Sequence, residues 1–475
     1  MAGFIGRTRE LRLLTDVLEV VRRGDRDRPG VAVLLRGRRR VGKSRLVEEL
    51  AARTRAPYVV FQAARGAGAD RELDELAAAV ATSTLPDAAL ATGNHPATLT
   101  AALTLLAAAL PTDRPSIVVL DEIPWLLEGI PGGAGELQRV WDRVLSRKPV
   151  LLLLLGSDLS LMEALTAPDA PFDGRGTEMV LEPLSPADVA AMTGLEPMAA
   201  FDAYLMTGGL PLVAQEWERG ESPARFLQRS FGSPLSALVS TGARVLDGEF
   251  REGELARRVL SAIGSGEASF SKIQHAAGSD GPLQPASLTR VLGSLTTRGV
   301  VAQDLPLSTG RSRDPRYRIA DSALRFWLRF VEPALPEVDR GRADLATARV
   351  GAGYQAWRGR AIEPVVRDSL LRLLAETPWH DVREVGGWWP RTNVPELDLV
   401  GGDRRPARSV RFVGTVKWRP APLDPRDIDA LARDAVAVPG AHAATPLVAV
   451  CTGGAVEDGR LARVWTASDL LTAWE

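Results

Sequence analysis

The sequence is short of the residues that staple small scaffolds. Cys451 is its single cysteine, so no internal disulfide can form. The four histidines, His95, His275, His380 and His442, are scattered without zinc-like spacing. Long apolar runs are missing too. The longest, Val150 to Leu155, is far below the roughly 20 residues that cross a bilayer. The opening residues turn polar at Gly6-Arg7 before an apolar core forms, so no signal peptide or membrane anchor is expected, and a cytoplasmic location is. Charge of one sign is absent, because 58 basic residues face 59 acidic ones and leave a formal net of -1. No global field draws the chain to nucleic acid or membrane, so any such contact must be local. Lysine is the scarcest cation: only Lys43, Lys148, Lys272 and Lys417 occur among the 58 basic residues. Where arginine is the default, a lysine marks a position that needs a compact ammonium, with chance placement the alternative at Lys148 and Lys272.

What is present suffices for ordinary cores: 45% of the 475 residues are hydrophobic and 25% charged. At roughly 150 residues per domain the length predicts about three domains. The expected fold class is α/β, with four segments. These are a P-loop NTPase parallel sheet (1–185), a helical lid (186–250), a winged helix-turn-helix (251–335) and an α/β restriction-endonuclease-like domain (336–475).

The first segment carries the strongest motif. Val31 to Leu35 reads as an apolar strand, Gly37-Arg38-Arg39-Arg40-Val41-Gly42-Lys43-Ser44 follows, and Leu46, Val47 and Leu50 recur at helical spacing. Gly37 and Gly42 allow backbone angles and close approaches that let consecutive amides surround a polyphosphate at a helix N-terminus. Lys43 is expected on the β and γ phosphates and Ser44 on Mg2+. Arg38, Arg39, Arg40, Val41 and Arg45 complete the expected ATP-binding loop, no acid occurring from Leu34 to Val47. That basic cluster also reads as a solvated loop made cationic by composition. Ser116 to Glu122 is a buried strand ending in two acids, where an open α/β sheet places its ligand site. Asp121 is expected to hold the metal and Glu122 to deprotonate the attacking water. Val150 to Leu155 is a third strand, ending at Gly156-Ser157. Ser157 reads either as a γ-phosphate sensor or as a turn former.

These residues, with Phe4-Ile5-Gly6-Arg7, Glu10-Leu11, Gly174-Arg175, Leu181 to Ser185 and Gly208-Gly209-Leu210-Pro211, resemble AAA+-type P-loop ATPases of the archaeal ATPase family. That family lies close to the STAND and origin-recognition branches. The resemblance runs through the first 220 or so residues. It implies an opening segment near the adenine, a lid that closes over the nucleotide, and a catalytic role for Arg175 as an arginine finger acting within its own subunit or across a homo-oligomer. An exposed loop arginine is the alternative.

From Arg251 to Ala320 three helical stripes precede a hairpin that starts at Gly299-Val300-Val301 and returns at Arg316 to Ile319, the pattern of a winged helix-turn-helix. The stretch holds ten basic and six acidic residues, a mild bias towards DNA. Thr289, Arg290, Ser294 and Arg298 are expected at a groove, and Arg311, Arg313 and Arg316 on phosphates. A module that contacts protein partners is the alternative.

Seven of the eleven tryptophans follow residue 350, which marks a separate domain. A helix with Glu363, then Glu396-Leu397-Asp398 and Thr415-Val416-Lys417, resembles the PD-(D/E)XK nuclease fold found at the C-terminus of many members of this ATPase family. There a strand-end aspartate and the acid of an E-x-K strand hold magnesium beside a lysine. Asp398 and Lys417 match, but Thr415 replaces the acid, and a neutral hydroxyl is a weak magnesium ligand. Glu363 and Glu396 are the acids that would have to compensate. A degenerate nuclease site is expected, formed by Glu363, Asp398 and Lys417. The function these readings favour is an ATP-dependent switch linked to DNA; an ATP-regulated nuclease and a low-turnover scaffold for protein partners are the alternatives.

Overall fold

The computed structural model describes residues 4–24, 27–157, 159–249, 253–266, 268–312, 314–454 and 459–475. Arg313 therefore lies outside the described residues. The chain divides into two compact units, Met1–Pro183 and Leu184–Glu475.

The first unit is built on five parallel strands: β1 (Val31–Arg36), β2 (Tyr58–Gln62), β3 (Ser116–Asp121), β4 (Val150–Gly156) and β5 (Gly176–Val180), in the order β2-β3-β4-β1-β5. Around it stand α1 (Thr8–Arg23), α2 (Lys43–Thr54), α3 (Ala69–Ala81), α4 (Leu99–Ala109), α5 (Ile123–Gly129), α6 (Gly133–Arg143) and α7 (Leu159–Thr166). Alternate strand residues separate the faces. Ala32, Leu34, Val118, Leu120, Leu152 and Leu154 share one core with Leu76, Leu103 and Leu137 of α3, α4 and α6. The intervening residues are buried as well, and α1 packs against α2 and β4. Burial on both faces is why β3 and β4 read as unbroken apolar runs.

In the second unit, α8 (Pro186–Thr193), α9 (Pro197–Thr207), α10 (Pro211–Ala214), α11 (Pro223–Phe231) and α12 (Ala237–Glu249) come first. Next are α13 (Glu254–Gly264), α14 (Phe270–Ala276) and α15 (Pro285–Thr297), followed by the antiparallel pair β6 (Val301–Asp304) and β7 (Arg316–Ile319). After α16 (Ser322–Phe326) and α17 (Leu335–Asp339) the long α18 (Ala343–Leu373) leads into a mixed sheet. Its strands are β8 (Glu384–Trp388), β9 (Leu397–Gly402), β10 (Val410–Lys417), β11 (Leu447–Cys451) and β12 (Leu461–Trp465), in the order β12-β11-β10-β9-β8. Strands β8, β9 and β10 pair antiparallel, whereas β10, β11 and β12 pair parallel, α19 (Pro425–Ala435) making the crossover between β10 and β11. Helices α18 and α20 (Ala467–Thr472) cover one face through Ile362, Val366 and Leu470, and α19 covers the other through Leu431. Phe201 and Leu205 of α9 join the α18 core. Trp388 and Trp389 are buried. Among the described residues no helix is long and apolar enough to cross a membrane.

Candidate functional site

The C-terminal ends of β1 and β3, each a neighbour of β4, form one edge of the first sheet. A Cβ on Gly37 would stand 2.5 Å from the Leu181 carbonyl oxygen, so only glycine lets the chain leave β1 there. The loop then passes through left-handed backbone at Arg40 (φ 68°) and Gly42 (φ 92°), a turn that carries the chain into α2. Helix α2 starts at Lys43 with no side chain capping its first turn. Uncapped amides at a helix N-terminus attract an anion.

Lys43 is only 7% exposed, and its Nζ donates to the carbonyl oxygens of Gly37 at 2.7 Å and Arg38 at 3.2 Å. Burial pushes its ammonium pKa below the ordinary lysine value, Glu122 and Asp121 pull it back up, and Arg39 adds to the fall. The Ser44 hydroxyl donates to Asp121 Oδ2 at 2.7 Å, while Asp121 Oδ1 accepts the Glu122 amide at 2.9 Å. Glu122 itself sits in left-handed backbone (φ 52°) before α5. Its carboxylate accepts the Ser157 hydroxyl at 2.8 Å and the Ser157 amide at 3.3 Å. Ser157 is thus joined to the acid, at the end of β4, with Arg39 Nε 3.5 Å from its Oγ. Arg39 lies over the Trp125 ring, 5.5 Å from its centroid.

The loop residues, both acids and Ser157 are therefore brought together. Arg45 directs its guanidinium to the exposed Glu48 at 3.1 Å, so only its backbone faces the loop's task. The opening segment, which the resemblance implies lies near the adenine, contributes Arg7. Arg7, 5% exposed and left-handed (φ 60°), donates from Nη2 to the Val41 carbonyl at 2.9 Å and ties the opening segment to the phosphate loop.

Arg175 stands apart from these residues. It precedes β5, whose first residue Gly176 is in register with Ala32, whereas the phosphate loop follows Arg36 at the other end of β1. About 13 Å of strand separates the two ends at roughly 3.3 Å per residue. Its Nε instead donates to Asp142 at 2.9 and 3.1 Å. In this structure the Arg175 guanidinium is therefore turned to Asp142, at the end of β5 away from the loop that follows β1.

The second sheet gathers different partners. Asp398 Oδ2 accepts the Thr415 hydroxyl at 2.9 Å and the Val416 amide at 2.8 Å. Arg367 Nη2 reaches Glu363 Oε2 at 2.7 Å and the Asp398 carbonyl at 2.9 Å. Lys417 Nζ lies 3.8 Å from Asp427, and Glu396 pairs with Arg316. Among the described residues no group of three metal-binding side chains stands ready for a cation. The donor set here does not fit magnesium: Thr415 brings no charge, and Glu363 and Glu396 are each committed to an arginine. Arg316, on the hairpin, is bonded to Glu396 and Asn393 and stacked 4.2 Å over Trp389.

Known proteins are similar to this chain in part. A curated relative, an uncharacterized protein of Methanocaldococcus jannaschii, is 24% identical over 332 residues, 68% of this chain and 71% of its own. A Walker-type ATPase of Pyrococcus abyssi superposes with a TM-score of 0.48 at 19% identity, over 69% of this chain and 96% of its own. The Aeropyrum pernix ORC1 protein in complex with DNA gives 0.33 at 20% identity, over 73% of this chain and 95% of its own. Residues 327–428 match a family described as archaea bacterial proteins of unknown function. Residues 3–130, which contain the loop and both acids, match the AAA ATPase domain family, so the N-terminal unit carries an AAA ATPase domain.

Proposed function

We propose that the protein is an ATP-dependent switch whose second unit contacts DNA. The observation that carries the ATP reading is the buried Lys43 ammonium, held only by neutral carbonyls beside the uncapped start of α2. A triphosphate supplies the anion that this cation and these amides lack, and it replaces weak acceptors with charged ones. Ser44 and Asp121 are the residues that would hold magnesium, which neutralises phosphate charge when bound. Glu122 would orient water and take its proton. Its carboxylate is held by Ser157, and Arg39 reaches the same hydroxyl. A γ phosphate drawing Arg39 and Ser157 towards itself releases Glu122, which makes the acid sensitive to nucleotide state.

The DNA reading rests on α13, α14, α15 and the β6–β7 hairpin, which we take as a winged helix-turn-helix. Thr289, Arg290 and Arg298 are exposed along and just beyond α15, where a recognition helix presents its reading residues. The C-terminal sheet we read as a PD-(D/E)XK-like domain kept for packing, because Thr415 spends its hydroxyl on Asp398 and offers no charge to a metal. Magnesium-dependent DNA cleavage lost in Asp398→Ala would overturn that part. ATP turnover measured with no DNA, single strands and duplex tests the whole. The switch predicts turnover that DNA changes, with duplex binding lost in Arg290→Glu; turnover indifferent to both forms of DNA would leave the ATPase without its proposed partner.

A further inference from the structure

A second charged site lies wholly within the C-terminal unit. A cavity of about 720 Å³ is bounded by α13 and α14, by β7, and by the middle of α18. Its size falls in the range of small-ligand pockets, roughly 300–1,000 Å³. Seven basic and three acidic side chains line it. The three acids are all spent internally: Arg316 on Glu396, Arg318 on Asp304 and Arg367 on Glu363. Lys272, Arg325, Arg329 and Arg360 remain, and none of them has a carboxylate partner among the described residues.

Arg325 is the most constrained of the four. Among the described residues its guanidinium reaches only the carbonyls of Ala361 at 3.5 Å and Arg360 at 3.4 Å, and lies 6.0 Å from the Trp357 ring centroid. Burial pushes its pKa down to about 10, with Arg318 adding to the fall and Glu363 opposing it. It therefore stays charged near neutrality, in a place where water stabilises it poorly. Trp357, also on the wall, has a buried indole N–H with no acceptor. Uncompensated cations and an idle donor around one cavity are what a tetrahedral oxyanion satisfies.

We propose that this cavity binds a phosphate group, either a free polyphosphate or the phosphodiester backbone of a nucleic acid strand, through Lys272, Arg325, Arg329 and Arg360. No residue of α15 lines it, so the site is separate from the recognition helix proposed above, and it stands whether or not that helix reads DNA.

The test uses the full chain carrying Lys43→Ala, which silences the phosphate loop. Calorimetry at low salt follows two ligands: inorganic tripolyphosphate and a 12-nucleotide single strand. Lys272→Glu and Arg360→Glu, both at exposed positions that folding tolerates, are compared with Arg71→Glu, an exposed residue of α3 that changes net charge equally. At least one ligand should bind and lose roughly tenfold or more of its affinity per cavity reversal, with Arg71→Glu far milder. The ligand that responds identifies the source: strand alone means nucleic acid, and tripolyphosphate alone means a free polyphosphate. No binding of either by the parent protein, or equal weakening by Arg71→Glu, overturns the proposal. So does a strand affinity that falls only in Arg290→Glu, which would assign binding to α15 instead.

Discussion

Both units set an aspartate on a central strand and a lysine on a segment nearby, yet the two arrangements leave opposite amounts of charge unspent. In the N-terminal unit Lys43 bonds to carbonyls and Asp121 to a hydroxyl and an amide, and neither makes an ion pair among the described residues. In the C-terminal unit Glu363 is paired with Arg367 and Lys417 lies by Asp427. Asp398 keeps only neutral donors, but the second carboxylate that a metal needs is a threonine. Neutral partners are displaced by a charged ligand at modest cost, whereas an opposite charge must be matched before it lets go. What distinguishes the two arrangements is the charge left over after internal pairing, together with the carboxylate that Thr415 does not supply.

The largest effect on affinity that would break this comparison is at the lysines. Lys43→Ala should weaken ATP binding by about 100-fold, the worth of a charge-assisted contact to phosphate, whereas Lys417→Ala should leave it within about twofold. Calorimetric titration of ATP into both variants decides it, and equal losses would erase the distinction drawn here. On rate rather than affinity the effect is larger still: Glu122→Gln should retain ATP affinity while turnover falls on the order of 100- to 10,000-fold, the usual range for a lost general base. A steady-state phosphate-release assay reads this; turnover near the parent rate would move the base elsewhere.

The difference between the units also governs what the sequence disclosed. Strands β1, β3 and β4 were legible because both faces are buried and the apolar run is continuous. Strand β5 was not, since its Gly176–Val180 edge is largely exposed and carries no run. The phosphate loop was legible because its geometry demands glycine at fixed spacing. The bond from Arg7 was not, because a left-handed arginine donating to a carbonyl 34 residues on leaves no periodic trace, and the resemblance pointed only to its segment. Arg175 was placed by resemblance alone, and only strand register shows which end of β5 it occupies. In the second unit the missing acid at Thr415 was visible, but the spending of Glu363 on Arg367 and of Arg316 on Glu396 depends on which segments meet in space. The shared core of α9 and α18 was hidden for the same reason: periodicity reports a buried face and not its partner.

A pH series sharpens the comparison from the C-terminal side. Burial raises the Glu363 pKa from 4.5 to about 7; Arg367 opposes this, Asp398 and Glu396 add to it, and Arg325 opposes it. A raised carboxylate binds its proton more tightly in the folded state, so its stabilising contribution is complete below 4.5 and is lost as pH rises through about 7. Glu363→Gln cannot ionise. Its melting temperature should therefore gain on the parent's as pH climbs from about 5 to about 8. Parallel melting curves across that range would mean that Glu363 titrates normally. Smaller still, Thr415→Val removes one donor from Asp398 and should cost about 1 kcal/mol, a shift of a few degrees, with ATP turnover unchanged.

The smallest effect is expected at Arg175, and it separates two uses of one residue. Its ion pair with Asp142 is about one-third exposed on both sides, so Arg175→Ala should cost under about 1 kcal/mol of stability and leave ATP affinity intact. Register places it at the end of the sheet away from its own phosphate loop, which leaves a neighbouring copy as the route to any catalytic part. In that case turnover per molecule rises with protein concentration in the parent, and Arg175→Ala abolishes the rise while its rate in dilute solution matches the parent's. A variant that loses activity equally at every concentration would contradict both the register argument and the neighbour route, because only a residue acting within its own chain is indifferent to dilution.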